Sequence, residues 1–172
     1  MKWKDKLLSE FIFQLSNRDR NWDSLISEIT SNKGIGIHMA VFNEPFLSAI
    51  IEKRKTIESR FSVNRINPFR RIFKDDLVLL KRTAGNIIGF FQCGNIEFWV
   101  KSKGANFEKL ESKYGNSMCT YLDENFWANR ESSRYGTLIE IKDCHLLEGF
   151  SISKQDRTTW VVLKERNKLS IF

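Results

Sequence analysis

The hydrophobic period of this chain changes at Gly34, and that change restricts the folds open to it. Before it, Leu7, Leu8, Phe11, Ile12 and Leu15 recur at helical spacing across residues 4–16. "WDSLISEI" continues as a second short helix, with Asn21 near its start and Gly34 beyond its end. After it, "GIGIHMAVF" alternates Ile35, Ile37, Met39 and Val41, the period of a strand. Residues 1–33 therefore read as an N-terminal helical extension, and residues 34–172 as the domain proper.

The domain mixes short strands with a few helices. In "NEPFLSAIIEK", Asn43 is placed to cap, Pro45 suits the first turn, and Phe46, Leu47, Ile50 and Ile51 form an apolar stripe. "KTIESRF" then alternates, putting Thr56, Glu58 and Arg60 on one face and Ile57 and Phe61 in the core. Strands follow at "DLVLLKR", "IIGFFQC" and "IEFWV", the first two joined by the turn "TAGN". Helices are expected over 106–114 and 121–129, and late strands at "YGTLIEIKD" and "TTWVVLKE". The order predicts an α+β fold whose sheet curls into a barrel. With 41% hydrophobic residues, 14 Phe and 5 Trp, the chain has material for a real core, which excludes a disordered protein.

The net charge of +7 is concentrated in one place. Residues 53–82 carry ten basic and three acidic side chains, whereas both flanks are close to neutral. A cationic surface of that density attracts polyanions, nucleic acid foremost; its plainer use is solubility.

Other chemistries find little support. Cys93, Cys119 and Cys144 are far apart, no CxxC pair exists, and the only histidines are His38 and His145. A zinc site needs about three or four such ligands together, so no metal and no cofactor is expected. Unpaired thiols suit a reducing compartment, and neither a signal peptide nor a membrane span is visible, so the expected location is the cytoplasm. The charge-balanced helices of residues 1–33 are a possible contact surface for a protein partner.

The order helix, "KTIESR", Arg/Asn/Pro loop, "DLVLLKR", Gly turn, "IIGFFQC" resembles the ASCH domain family of the PUA-like superfamily. Its signature is Gly-x-Lys-x-x-Glu-x-Arg. Lys55, Glu58 and Arg60 stand at that spacing, and Lys53 replaces the glycine. The similarity runs over roughly residues 35–165 and includes "NRINPFRRIFKDD", "YGTLIEIKDCHLL" and "DRTTWVVL". It implies a PUA-like mixed β-barrel with flanking helices and a cleft that meets RNA or a modified nucleoside.

Lys55 and Arg60 could then neutralise phosphates while Glu58 accepts from a base amino group or a 2′-hydroxyl. The competing view makes Glu58 one half of a surface ion pair. Arg65, Arg70, Arg71 and Lys74 are candidates to follow a nucleic-acid backbone, and Phe69 and Phe73 are interleaved with them, Phe73 fitting the core better. Trp127 or Arg130 could close over the cleft, with packing the simpler role for Trp127; Trp160 suits the core, and His38 suits a hydrogen bond to a neighbour.

Some proteins of the family are hydrolases of acylated cytidine or ribonucleases. Here Glu58 occupies the place of their threonine nucleophile, and Thr56 is wrongly spaced. Lys55, with its pKa lowered by Lys53 and Arg54, and Glu58 are the reactive pair of the enzymatic reading. Asp75–Asp76 is the one acidic doublet near the basic segment, most simply a polar turn. An RNA-binding module, a hydrolase of RNA or a modified nucleoside, and a protein-interaction domain all remain open, in that order of preference.

Overall fold

The computed structural model describes residues 2–18, 20–31, 34–102, 107–153 and 156–166. Among these residues six strands form one sheet in the order β2-β5-β4-β3-β1-β6, accompanied by four helices. The strands are β1 (Ile37–Phe42), β2 (Ile57–Ser62), β3 (Leu77–Arg82), β4 (Ile87–Val100), β5 (Tyr135–Phe150) and β6 (Trp160–Lys164). Only β1 and β3 run parallel; every other pairing is antiparallel. The sheet is mixed and curls into a half-barrel, the α+β architecture expected from the sequence.

Curling has a local cause. β4 and β5 are 14 and 16 residues long, and their register shifts three times, at Ile87/Gly89, Phe90/Gln92 and Cys93/Ile96. Each such irregularity bends the ribbon and increases its twist. The sequence suggests two strands here, "IIGFFQC" and "IEFWV"; they are one bent strand, because pairing with β5 resumes at Ile96 after the irregularity at Gly94 and Asn95, where the Asn95 N–H donates to the Glu140 carboxylate.

β1 and β3 are interior strands buried on both faces, which accounts for "LVLL" in β3. One face carries Ile37, Met39, Leu77, Leu79 and Phe90. The helix α1 (Trp3–Ser16) covers it with Leu7, Phe11 and Leu15, one residue per turn, and α2 (Asp23–Thr30) adds Ile29. Asn21 Oδ1 accepts from the Asp23 N–H at the start of α2. The helices α1 and α2 thus contribute a layer of the main core. The opposite face packs Ala40, Phe42, Val78, Leu80, Phe91 and Trp160 against Leu47 and Ile50 of α3 (Phe46–Ile51). A third cluster lies under α4 (Phe107–Met118), where Leu110 and Met118 meet Leu138, Phe61 and Trp99.

Three details differ from the sequence reading. Asn43 does not cap α3; the Glu44 carboxylate accepts from the Ser48 N–H instead. The expected start of α4 at Asn106 lies outside the described residues, and the helix runs on to Met118. The helix expected over 121–129 is absent. Two single 3-10 turns, Thr120–Leu122 and Ala128–Arg130, take its place. Cys119 adopts a left-handed conformation (φ 57°) that ends α4, and Asp123 Oδ1 takes the Asn125 N–H in a local turn. Among the described residues no helix is long and apolar enough to cross a membrane.

Candidate functional site

The half-barrel leaves a seam between its two edge strands, β2 and β6, and the Lys55–Glu58–Arg60 triplet sits there. At the end of α3 the Arg54 and Lys55 N–H groups both return to the Ala49 carbonyl. Lys53, just before them, is left-handed with φ 61°. That is a conformation natural to glycine, so Lys53 adopts it at some cost in strain.

The chain then turns Lys55 inwards. Its ammonium donates to the Ile57 carbonyl at 2.8 Å and the Met118 carbonyl at 3.0 Å, and lies 3.3 Å from Glu58 Oε2. All three N–H bonds are engaged. Glu58 Oε1 accepts from Arg60 Nε at 2.7 Å, and Arg60 Nη2 reaches across the seam to the Val41 carbonyl at 2.9 Å. The Arg60 guanidinium rests over Phe42 and Trp160, 4.9 and 5.2 Å from their centroids. The Lys55, Glu58 and Arg60 side chains are 2%, 6% and 19% exposed, which is no surface ion pair.

Burial is also what shifts Lys55. Desolvation lowers its pKa, opposed by the attraction of Glu58, and Arg60 adds a small push in the same direction as burial. Lys53 and Arg54, the neighbours expected to cause this, are exposed and are not among its main causes.

These side chains border a cleft of about 630 Å³. Asn43 and Phe46 line one wall, Phe126, Asn129 and Arg130 another, and Thr159 the rim toward β6. Arg130 is fixed by donating to the Phe126 carbonyl and by lying 3.7 Å from the centroid of that ring. Burial lowers its pKa, while Glu58 and Asp123 favour its charge. The lining therefore brings Lys55, Arg60 and Arg130 together with the carboxylates of Glu44, Glu58 and Asp123, in a space walled by four phenylalanines.

The other residues singled out in the sequence lie elsewhere. Arg65, Arg70, Arg71 and Lys74 are exposed and none lines this cleft. Arg71 pairs with Glu165, and the Lys74 carbonyl accepts from Arg166. The two rings of that loop reverse their expected positions. Phe69 is 6% exposed and packs edge-on to Phe98, whereas Phe73 is 44% exposed. Phe69 is thereby withdrawn from any base-stacking role.

Trp127 stacks on Phe107 under α4, and Trp160 is core, both as expected. His38 is held between neighbours: Trp160 Nε1 donates to its Nδ1 at 3.1 Å, and its Nε2 faces Asp76 Oδ2 at 3.3 Å. Asp76 is completely buried, far from the polar surface turn anticipated. It also accepts from the Gly36 and Phe73 N–H groups and from Arg166. Phe46, Phe126, Asn129 and Thr159 carried no signal in the sequence, because nothing local marks a residue that meets the cleft only through the fold. Among the described residues no cluster of three or more His, Cys, Asp or Glu could hold a metal.

The curled mixed sheet is an ASCH-like fold. Solved structures agree: the Zymomonas mobilis ASCH protein superposes with TM-score 0.58 at 18% identity, covering 74% of this chain and 87% of that one. A serine-to-alanine variant of that protein gives TM-score 0.58 at 18% identity (76% and 89% covered), and a tyrosine-to-phenylalanine variant 0.57 at 16% (76% and 91%). No family model matches the sequence, and no curated protein matches it.

Proposed function

We propose that the protein binds RNA, taking one unpaired nucleotide into the cleft between β2 and β6. The observation that carries this reading is the Glu58 carboxylate. It is pinned by Lys55 and Arg60, yet an ionised carboxylate has about four acceptor positions, and the two pins occupy only two. The remainder suit the N–H groups of a base edge or a 2′-hydroxyl. Arg60 and Arg130 supply positive charge beside it, and Phe46 and Phe126 supply apolar walls. The volume falls in the range of about 300–1,000 Å³ typical of small-ligand sites, which suits a single nucleotide and not a duplex.

A binder fits better than a hydrolase that uses Lys55 as its base. Every N–H of Lys55 is directed at a protein oxygen, so the residue serves to hold Glu58 and the strand before it. The test is fluorescence anisotropy with short single-stranded RNA, the matching DNA and free nucleosides, comparing the native protein with Arg130→Gln. RNA should bind more tightly than DNA, and the variant should lose about tenfold while melting normally. Failure of the native protein to bind RNA at low salt would end the proposal.

A further inference from the structure

The rim of the cleft does not close at Thr159. That residue also borders a second depression, of about 900 Å³, which runs along the outer edge of β6 beside Trp160 and Val162. Cations from three distant parts of the chain line it: Lys4 of α1, Arg65 of the loop after β2, and Arg157 before β6. Sequence proximity does not explain their meeting.

The free edge of β6 is already guarded against another strand. The Val162 carbonyl accepts from Lys4 Nζ at 2.8 Å, and the Trp160 carbonyl accepts from the Thr158 hydroxyl. An edge whose acceptors are taken by side chains is poorly suited to adding a β-strand. Charge points to a different occupant. The acidic residues of the groove are turned to internal work: Glu165 pairs with Arg71, and the Asp156 carboxylate receives the Thr158 N–H and hydroxyl. Arg65 and Arg157 are exposed and have no ion-pair partner among the described residues. Arg65 is steadied over the Tyr135 ring at 5.2 Å, and Ile66 beside it is exposed. The groove therefore offers positive charge and an apolar edge, continuous with the nucleotide cleft.

We infer that this β6-edge groove is the track for the phosphate backbone of a single-stranded RNA whose neighbouring nucleotide occupies the cleft, with Arg65 and Arg157 as the main phosphate contacts and Lys4 as a third. The inference rests on the RNA reading of the cleft and extends it. Of the cations expected to follow a backbone, it selects Arg65. Arg71 is committed to Glu165.

The decisive comparison uses an RNA of about eight nucleotides, within the span such single-strand grooves cover, and a nucleoside monophosphate that reaches the cleft alone. The proteins are the native chain, Arg65→Glu/Arg157→Glu and the cleft variant Arg130→Gln, each verified as folded by thermal melting. The groove variant should bind the oligonucleotide at least about tenfold more weakly, with a salt slope shallower by about two, because each lost phosphate contact removes roughly one unit. Its affinity for the monophosphate should be unchanged. Equal oligonucleotide affinity in the native and groove-variant proteins, with Arg130→Gln weakened, would overturn the track and leave the cleft standing. If the native protein binds neither probe, both fall. If a poly-glutamate peptide binds and the groove variant loses that binding while keeping RNA affinity, the occupant is an acidic protein segment and the RNA track is wrong.

Discussion

Replacing Glu58 with glutamine tests whether the triplet is a buried electrostatic unit. The substitution keeps the shape and one acceptor oxygen but removes the only anion paired with Lys55 and Arg60 among the described residues. At 3.3 Å, with an effective dielectric of about 20, the gross Lys55–Glu58 attraction is about 5 kcal/mol. Lys55 would keep its two carbonyl partners but remain a buried cation with no counter-charge. Breaking one side of such a pair costs about 3–5 kcal/mol, which for a domain of this size lowers Tm by roughly 10 °C. Urea melts of Glu58→Gln, Lys55→Met and the double variant would show it. The double variant should recover part of the loss, giving a coupling of about 2 kcal/mol.

The pH dependence has a definite sign. Burial already lowers the folded-state pKa of Lys55, and loss of Glu58 lowers it further. Between that value and the ordinary lysine value the unfolded chain binds the extra proton, so stability rises with pH across the window. The deficit of Glu58→Gln should therefore shrink at alkaline pH. A loss below about 1 kcal/mol, independent of pH, is what a solvated surface pair would give and would refute the argument.

Three further perturbations probe the frame around the site. Burial alone would raise the pKa of Asp76, but His38, the Phe73 and Gly36 N–H groups and Arg166 together hold it below the ordinary carboxylate value. Its contribution is present above the unfolded-state pKa and lost as pH falls through the folded one; Asp76→Asn should cost about 3 kcal/mol at pH 7 and flatten the acid limb of the stability profile measured by urea melts. Phe11→Ala should cost about 3–5 kcal/mol by thermal melting, because Phe11 is fully buried edge-on to Phe90; a loss below about 1 kcal/mol would mean that α1 is a detachable appendage. Lys53→Gly should raise the urea midpoint by an amount equivalent to about 1 kcal/mol, because the glycine adopts φ 61° without strain.

The sequence exposes what depends on period and spacing. Leu7, Phe11 and Leu15 announce a buried helical stripe, and "LVLL" announces a strand covered on both faces. The triplet was legible because Lys55, Glu58 and Arg60 are close in sequence. Its depth was not, since a Lys-x-x-Glu-x-Arg pattern reads the same in water or in a core. Residues 121–129 look helical because Tyr121, Leu122, Asn125 and Phe126 have suitable spacing, yet the left-handed turn at Cys119 and the Asp123 side chain redirect the backbone. Phe69 and Phe73 show the same limit. Which ring of a basic loop enters the core is decided by Phe98 and Tyr135, which follow it by 29 and 66 positions.

The cleft follows from a sheet that curls without closing. Strands β2 and β6 stop short of pairing, so their facing backbone groups need partners that a full barrel would supply. Arg60 bridges the gap from β2, reaching the Val41 carbonyl on β1 and lying over Trp160 of β6. An arginine can span that gap because its guanidinium is planar and presents several donors at once; a lysine would reach one oxygen and lose the stacking. Holding it there requires an anion behind it, Glu58, and Glu58 in turn requires Lys55 to be desolvated beside it. The basic triplet is thus first a device for ending a half-barrel. What it leaves facing the cleft is the unused side of the carboxylate, held in place by the seam.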